Sequence, residues 1–482
     1  MPQFINSTDL VAIIPEIILT ITAFCVLSLE MMRQSRSNIS LFLSSLGLVI
    51  TGIVIMQGNL SNVVLFGGML QLNHYSVFFD MLYLLVGFLT LIFSQGYLIK
   101  KSGELRAEYP ALIIFSVIGM MLMTRANDLV ILFLGLELLS LSLYVLVGFL
   151  RNNVLSNESG IKYLLLGAFS TGFFLFGASL TYGATGTTNY NEIALAISSE
   201  SILSNIYLSL GIGLLLIGFA FKAALVPFHL WSPDVYQGSP TPITGFLCTA
   251  PKAAGFGALI KLFITAFPEV YLSWQELFWI LAALTMSIGN ISALLQTNVK
   301  RMLAFSSVSH AGYLLLGVLV FNWDGISAVL FYLVVYSAMN LGSFSIISIV
   351  EKEEKGMTFK DYRGLSSKNP LLAIFMALFM LSLAGFPPTA GFIAKYGLLS
   401  AAAANGYIGL VIIAVLNTLL ATYYYIRLII NMYMKNEDDT VELKYTVMNQ
   451  YLIGILAILM LILGIAPNFL LEIAEQAATL VF

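Results

Sequence analysis

Long apolar runs separated by short polar breaks occupy the chain from one end to the other. The runs are 14 to 30 residues long, and a helix needs about 20 residues to cross the hydrocarbon core of a bilayer. The longest polar breaks, 182–205 and 351–369, are too short to form a soluble domain. The pattern therefore predicts an all-α polytopic membrane protein with about 14 transmembrane helices. The approximate spans are 10–29, 39–57, 77–98, 111–124, 129–150, 161–181, 206–228, 241–266, 275–297, 302–321, 325–350, 371–400, 407–434 and 450–471.

The composition supports this interpretation, because 59% of the 482 residues are hydrophobic and only 10% are charged. Soluble domains carry roughly 25% charged residues, and the mean hydropathy of +0.92 also favours lipid as the solvent. The two cysteines, Cys25 and Cys248, lie far apart and match no disulfide or iron–sulfur spacing. No basic tract indicates a nucleic-acid partner.

The distribution of basic residues predicts an orientation. If the N-terminus faces outside, fifteen of the 22 lysines and arginines, Lys300 among them, fall in inside loops. One, Arg125, falls in an outside loop, and six lie within spans. Because cytoplasmic loops are enriched in lysine and arginine, both termini are expected to face outside and the number of spans to be even.

Several charged residues lie near the ends of spans, where long side chains can extend to the membrane surface. Position alone favours this interfacial role for Arg427, beside the run Tyr423–Tyr425, which is interpreted as interfacial too, and for Lys261 and Lys162. The same role is expected for the carboxylates of Asp80 and Asp128.

Four charges lie too deep for that explanation: Glu137, Lys222, Lys252 and Lys395. Each costs about 2.5–3.5 kcal/mol at the centre of a bilayer. Three lysines and a carboxylate at depth indicate an ion path, and lysines suit protons. A Glu137–Lys222 pair about 4 Å apart would be worth about 4 kcal/mol at an effective dielectric constant of 20. Opening or closing it would let Lys222 release or capture a proton.

Two prolines interrupt spans that also carry these lysines. Pro227 breaks the seventh span and Pro388 the twelfth, and broken helices open where they line a cavity. Because the broken spans are five apart, we expect two inverted five-helix repeats, spans 4–8 and 9–13. The predicted segments are 1–110 (three N-terminal helices), 111–270 (first repeat), 271–435 (second repeat) and 436–482 (C-terminal helix).

The histidines allow two interpretations each. His310 lies among Ser306, Ser307 and Ser309, so a hydrogen-bonded structural role and a proton relay are equally favoured. His229, just beyond the first break, either continues a proton path from Lys222 or caps freed carbonyls. With His74, the three histidines are too scattered for a metal site.

Three long motifs resemble one family. The segment FKAALVPFHLWSPDVYQGSPTPITGFLCTAPKAAGFGALIKL (221–262) is similar to the subunit N family of bacterial proton-translocating NADH:quinone oxidoreductase, respiratory complex I. NVKRMLAFSSVSHAGYLLLG (298–317) and LSLAGFPPTAGFIAKYGLL (381–399) match the same antiporter-like subunits. The resemblance extends from about the third span to the thirteenth.

The resemblance implies roles for the polar residues within the membrane. Glu137 would be the carboxylate that pairs with Lys222 on the broken seventh helix, and Lys252 would be the central lysine. Lys395 would serve a second half-channel on the broken twelfth helix. His229 and His310 would be relay histidines, and Lys162 would be a sixth-helix lysine of the same proton path.

The resemblance also implies partners and a location. The chain itself would bind no cofactor and catalyse nothing alone, while NADH, FMN, iron–sulfur clusters and quinone would belong to partner subunits. Other membrane-arm subunits, including sister antiporter-like subunits, would surround it in the bacterial inner membrane, with both termini on the periplasmic side.

Three other functions compete with this one. A subunit of a multi-subunit cation/proton antiporter would share the fold and the lysines. A transporter of organic solutes would need a larger set of polar residues for solute recognition, and a purely structural scaffold would leave the four deep charges unexplained.

Overall fold

Helices form almost the whole structure, as the apolar runs predict, because a helix satisfies its backbone hydrogen bonds internally in lipid. The computed structural model describes residues 7–31, 37–58, 62–102, 106–198, 205–351, 357–435 and 446–479. A two-stranded antiparallel hairpin, β1 (Val63–Leu65) and β2 (Leu70–Leu72), pairs Val63 with Leu72. The helices in chain order are α1 (Ser7–Ala12), α2 (Ile14–Met31), α3 (Ser37–Gln57), α4 (His74–Ser102), α5 (Glu108–Arg125), α6 (Leu129–Val147), α7 (Val154–Thr185), α8 (Tyr190–Ile197), α9 (Ile206–Ala223), α10 (Ser232–Gly238), α11 (Thr241–Cys248), α12 (Ala250–Ala266), α13 (Pro268–Leu294), α14 (Val299–Val320), α15 (Trp323–Val350), α16 (Leu365–Lys368), α17 (Pro370–Ala384), α18 (Ala390–Ala404), α19 (Ile408–Met434), α20 (Val447–Ile465) and α21 (Asn468–Ala478).

The predicted class, an all-α polytopic membrane protein, is confirmed. In the described part of the chain, 12 helical segments are long and apolar enough to cross a membrane. The first predicted span corresponds to the shorter apolar helix Ile14–Leu29, and the twelfth to the two short helices α17 and α18. The arrangement in inverted repeats, the division into four segments and the exact number of spans stay predictions.

Segments that connect the helices contact one another at each end of the helix bundle, so the bundle has two faces. We call the end with segments 148–153 and 295–298 the basic face, where Asn298 pairs with Thr358. The opposite end, with the β1–β2 hairpin and segment 126–128, is the N-terminal face. There Leu70 pairs with Ala126 and Asp128 with Asn189.

The two helix breaks predicted from the prolines are present. Helix α9 ends at Ala223, before Pro227 is reached, because Ala224 adopts a left-handed conformation with φ 57°. The amide of Val226 inside this break donates to Thr285 Oγ1 at 3.1 Å. Between α17 and α18, Gly385 adopts φ 86°, so both breaks redirect the backbone within the bundle.

A third break was not predicted. The span expected to be continuous over 241–266 is divided into α11 and α12 at Thr249, whose backbone is non-helical with φ −111° and ψ −92°. Pro251 follows at the start of α12, where a missing amide hydrogen costs least. Lys252 therefore lies in the first turn of a new helix.

Burial is greatest in the middle of the chain. The membrane windows of α14 and α15 are 94% buried, and that of α11–α12 is fully buried. Helix α15 packs against α11, α14, α17, α18, α20 and α21, so it forms the centre of the second half. Helices α7 and α19 instead expose much of their apolar surface.

Close helix contacts depend on glycine at a few positions. A Cβ atom at Gly119 of α5 would lie 2.6 Å from the amide nitrogen of Leu139 on α6. A Cβ atom at Gly135 would lie 2.8 Å from the carbonyl oxygen of Gly119. Helices α5 and α6 are thus packed backbone to backbone, as small residues allow in membranes.

We expect Gly119→Ala to lower the stability of the folded chain by about 1–3 kcal/mol, because the added methyl group overpacks this contact. Gly96→Ala is the matched control, since a Cβ atom at Gly96 on α4 would meet nothing within 4 Å. The measurement is the thermal unfolding midpoint of each variant in detergent. A midpoint of Gly119→Ala equal to that of the control would contradict the close packing.

Candidate functional site

Polar side chains from both halves of the structure lie in its interior. The three deep lysines predicted from the sequence, Lys222, Lys252 and Lys395, are 6%, 2% and 5% exposed. Glu137 is half-buried. The burial predicted for the three lysines is therefore present, and each ammonium group needs a polar partner inside the bundle.

Lys222 lies in the last turn of α9 and points to α6. Its Nζ donates to Ser140 Oγ at 3.0 Å, and Ser140 lies three residues after Glu137, on the same face of α6. The direct Glu137–Lys222 ion pair expected from the sequence is not formed in this structure. A cavity of about 10 Å³ borders Ser140 and Lys222, which is close to the space that one water molecule needs.

Lys252 links the two halves. Its Nζ, on α12, donates to the carbonyl oxygen and to the hydroxyl of Ser307 on α14, both at 2.6 Å. One turn after Lys252, a Cβ atom at Gly255 would lie 3.5 Å from Cγ of Lys222. The stem of Lys222 therefore lies against the face of α12 that carries Lys252.

His310 follows Ser307 on α14 and is held at both ring nitrogens. Nδ1 lies 2.5 Å from the hydroxyl of Tyr332 on α15, and Nε2 lies 3.1 Å from that of Tyr425 on α19. The Tyr425 hydroxyl also bonds to Ser306 Oγ. The hydrogen-bonded structural role weighed from the sequence is thus present, and it places the imidazole within a network of hydroxyl groups.

The sequence did not predict Tyr332 or Tyr425 as members of this network, and the run Tyr423–Tyr425 was interpreted as interfacial. That interpretation is wrong for two of the three: Tyr424 and Tyr425 are buried, and only Tyr423 is exposed, at 63%. A signal was present in the sequence. Asn417, Tyr424 and Asn431 recur every seven residues and mark one polar face of α19.

Lys395 lies on α18 beside the second helix break. Its Nζ donates to the carbonyl oxygen of Ala384, the last residue of α17, at 3.2 Å. The same atom lies 5.1 Å from the centre of the Tyr313 ring, a distance at which a cation is attracted to the aromatic face. Tyr313 lies three residues after His310 on α14, so the two groups share one helix face.

His229 lies inside the first break and is buried. Its carbonyl oxygen accepts from the amide of Ser232 at 3.0 Å, which fixes the start of α10. Its ring faces Phe305 of α14 with the centroids 6.5 Å apart. Nδ1 is a buried atom with no hydrogen-bond partner within the described residues.

Lys162 lies at the basic face, near the start of α7, and its side chain is 42% exposed. Its Nζ pairs with Glu158 at 2.7 Å and with Asp234 of α10 at 2.8 Å. Asp234 also pairs with Arg301 of α14 at 2.6 Å. Partial burial favours a higher pKa for Asp234, but the hydrogen bonds from Lys162 and Arg301 hold this pKa below its ordinary value.

A second group of buried charges lies toward the N-terminal face, and it corrects three expectations. Arg125, expected in an outside loop, is the buried last residue of α5 and pairs with Asp80 at 2.7 Å and Glu16 at 2.5 Å. Asp80 and Lys261, expected at the interface, are also buried. Lys261 Nζ donates to the carbonyl oxygens of Thr124 and Arg125. Because α2, α4, α5 and α12 converge here, nearness to a span end does not bring these groups to the surface.

The other charged residues near span ends lie in different environments. Lys300, expected in an inside loop, is buried, and its Nζ donates to the carbonyl oxygen of Ser239 at 2.9 Å. Arg427 lies over the Phe359 ring at 4.3 Å, near the basic face as expected. Asp128 caps α6 by accepting from the amide of Val130. The described residues contain no cluster of three histidine, cysteine or acidic side chains that could hold a metal ion.

Comparison with known proteins gives consistent matches. The family described as NADH:quinone oxidoreductase/Mrp antiporter, transmembrane, matches residues 126–421. NADH-quinone oxidoreductase subunit N of Trichlorobacter lovleyi is 45% identical over 482 residues, 99% of each chain. Subunit N 1 of the same enzyme from Solibacter usitatus is 37% identical over 482 residues, covering 99% of this chain and 98% of that protein.

Solved structures match over nearly the whole length. A chain of respiratory complex I from Thermus thermophilus with bound Aureothin superposes with a TM-score of 0.82 at 32% identity, covering 95% of this chain and 99% of that one. A chain of the Mrp complex from Dietzia sp. DQ12-45-1b has a TM-score of 0.83 at 21% identity, with 96% of each covered. The second match shows a shared fold alone.

We expect Tyr425→Phe to destabilise the folded chain by about 1–3 kcal/mol, because His310 and Ser306 lose a buried hydrogen-bond partner. Tyr423→Phe on the same helix is the matched control, since Tyr423 is exposed. The measurement is the thermal unfolding midpoint of each of the two variants. Equal midpoints would show that the buried hydroxyl does not hold His310.

Proposed function

Because this chain belongs to the membrane-subunit family of NADH:quinone oxidoreductase and Mrp antiporters, we propose that it translocates protons in the membrane arm of a respiratory NADH:quinone oxidoreductase. The observation that carries the proposal is the series of buried groups at Lys222, Lys252, His310 and Lys395. Consecutive members lie on different helices that contact each other, with serine or tyrosine hydroxyls beside them.

The chemistry of these groups suits proton transfer. Each lysine amine contacts neutral oxygen atoms, which accept a hydrogen bond from the charged and from the neutral amine alike. A lysine that loses its proton to the next group therefore keeps its position. One proton entering at Lys222 and one leaving beyond Lys395 would return every amine to its starting state.

The remaining predicted residues have supporting roles in this proposal. Glu137 lies one turn from Ser140, the hydroxyl that accepts from Lys222, and its carboxylate is the predicted partner of that lysine. Lys162, paired with Asp234 at the basic face, lies where protons would enter. His229, with its buried Nδ1, is a relay between that face and the interior.

We place the energy source in other subunits. NADH, FMN, iron–sulfur clusters and quinone would act there, and the isolated chain would catalyse no reaction. The proposal includes the bacterial inner membrane and both termini on the periplasmic side. The distribution of basic residues among the loops supports this orientation. Arg125, the one basic residue assigned to an outside loop, is a buried ion-pair partner and so does not count against it.

An antiporter subunit is the second candidate, since the Mrp complex shares the fold. The 45% identity to a subunit N over 99% of both chains favours the first candidate. We expect a complex purified through a tag on this chain to pump protons into liposomes when NADH and quinone are supplied. Sodium–proton exchange by that complex with no electron donor would favour the antiporter instead.

We expect Lys252→Met to lower NADH-driven proton pumping at least about tenfold, in keeping with the loss of a proton-transfer group. Lys435→Met is the control, because Lys435 is exposed at the end of α19 and lies outside the buried series. Pumping is measured in liposomes as the initial rate of proton uptake per assembled complex. Full pumping by Lys252→Met would contradict the proposed path.

A further inference from the structure

The buried charges near the N-terminal face have no part in the path above. We call Glu16, Asp80, Arg125 and Lys261 the Arg125 cluster. Arg125 holds both carboxylates through ion pairs of 2.5 Å and 2.7 Å. Lys261 makes no ion pair within the described residues, and its Nζ contacts the carbonyl oxygens of Thr124 and Arg125 at 3.3 Å and 3.2 Å. The cluster thus combines one fixed cation with one amine on neutral acceptors.

A cavity of about 550 Å³ adjoins Lys261. It lies where the β1–β2 hairpin, the start of α4 and the end of α12 meet, at the N-terminal face. Its lining is rich in polar side chains, and these include Gln71, Asn73, Tyr75, Asn191, Lys261 and Thr265. A polar cavity of this size has room for several water molecules.

Helix α12 connects this cavity to the centre of the structure. Lys252 and Lys261 are nine residues apart on α12, about 13.5 Å along the helix axis. Between them, the hydroxyl of Tyr75 donates to the carbonyl oxygen of Gly257 at 2.8 Å. Tyr75 also lines the cavity, so a polar contact reaches from the cavity toward the middle of α12.

We propose that Lys261 passes protons from the Lys252 region to the cavity, which releases them at the N-terminal face. This inference rests on the proposed function and adds a release site within the first half of the chain. One proton arrives at Lys261 Nζ from the interior and one leaves from it to water in the cavity. The net charge of the cluster therefore changes by one during this exchange.

Two variants at one position separate proton transfer from a structural role. Lys261→Arg keeps a cation and hydrogen-bond donors, but arginine does not release its proton. Lys261→Gln removes the charge. We expect both to lower NADH-driven proton pumping of the assembled complex about twofold, because the exit beyond Lys395 stays open, with Lys435→Arg and Lys435→Gln as matched controls. Normal pumping by Lys261→Arg would overturn the proposal, because a structural cation would then suffice.

Lys252→Met measured in parallel separates this proposal from the function on which it rests. If Lys252→Met loses pumping while both Lys261 variants pump normally, the release site is wrong and the proposed function stands. If all three pump normally, both fail.

The opening of the cavity can be tested without changing Lys261. Thr265→Cys, in a Cys25→Ser background, is expected to react with a membrane-impermeant thiol reagent added at the N-terminal face of the complex in sealed vesicles. Reaction only from the basic face, or from neither face, would overturn release through this cavity.

Discussion

A buried ammonium group must have acceptors, and in this protein hydroxyl groups and the carbonyl ends of helices supply them. Removing an ion from water costs several kcal/mol unless the interior supplies polar partners. Lys395 finds its acceptor at the carbonyl end of α17, which exists because the helix stops at Ala384. Lys261 uses the carbonyl end of α5 in the same way. These ends carry partial negative charge, which favours a cation.

The buried charges fall into two kinds with different consequences. Arg125 is bound by two carboxylates and cannot give up its proton, so it holds α2, α4 and α5 together. Lys222, Lys252 and Lys395 contact hydroxyl or carbonyl oxygens instead. A carboxylate in direct contact would stabilise each charged amine strongly. Neutral acceptors leave the proton easier to move, which is why these contacts support transfer along the series.

The apolar spans, the breaks near Pro227 and Pro388 and the burial of the three deep lysines could be predicted from the sequence, since these depend on local pattern and composition. The sequence did not predict which polar groups meet. Lys261 and Asp80 lie near span ends, yet neighbouring helices bury them. The position of a residue along its span does not show whether another helix packs over it. Glu137 and Lys222 were expected to touch, but Ser140 accepts from the lysine instead. The hydroxyls around His310 come from α15 and α19, which are separate from α14 in the chain.

The central claim is that the buried groups act in series on one proton path. A double-mutant cycle on Lys222 and Lys395 tests it most directly, with NADH-driven proton pumping measured for both single variants to methionine and for the double variant. Groups in series give a double variant no slower than the slower single variant, because one interruption already stops the flow. If the two single effects multiply in the double variant, the two groups contribute independently. That result would contradict a single path.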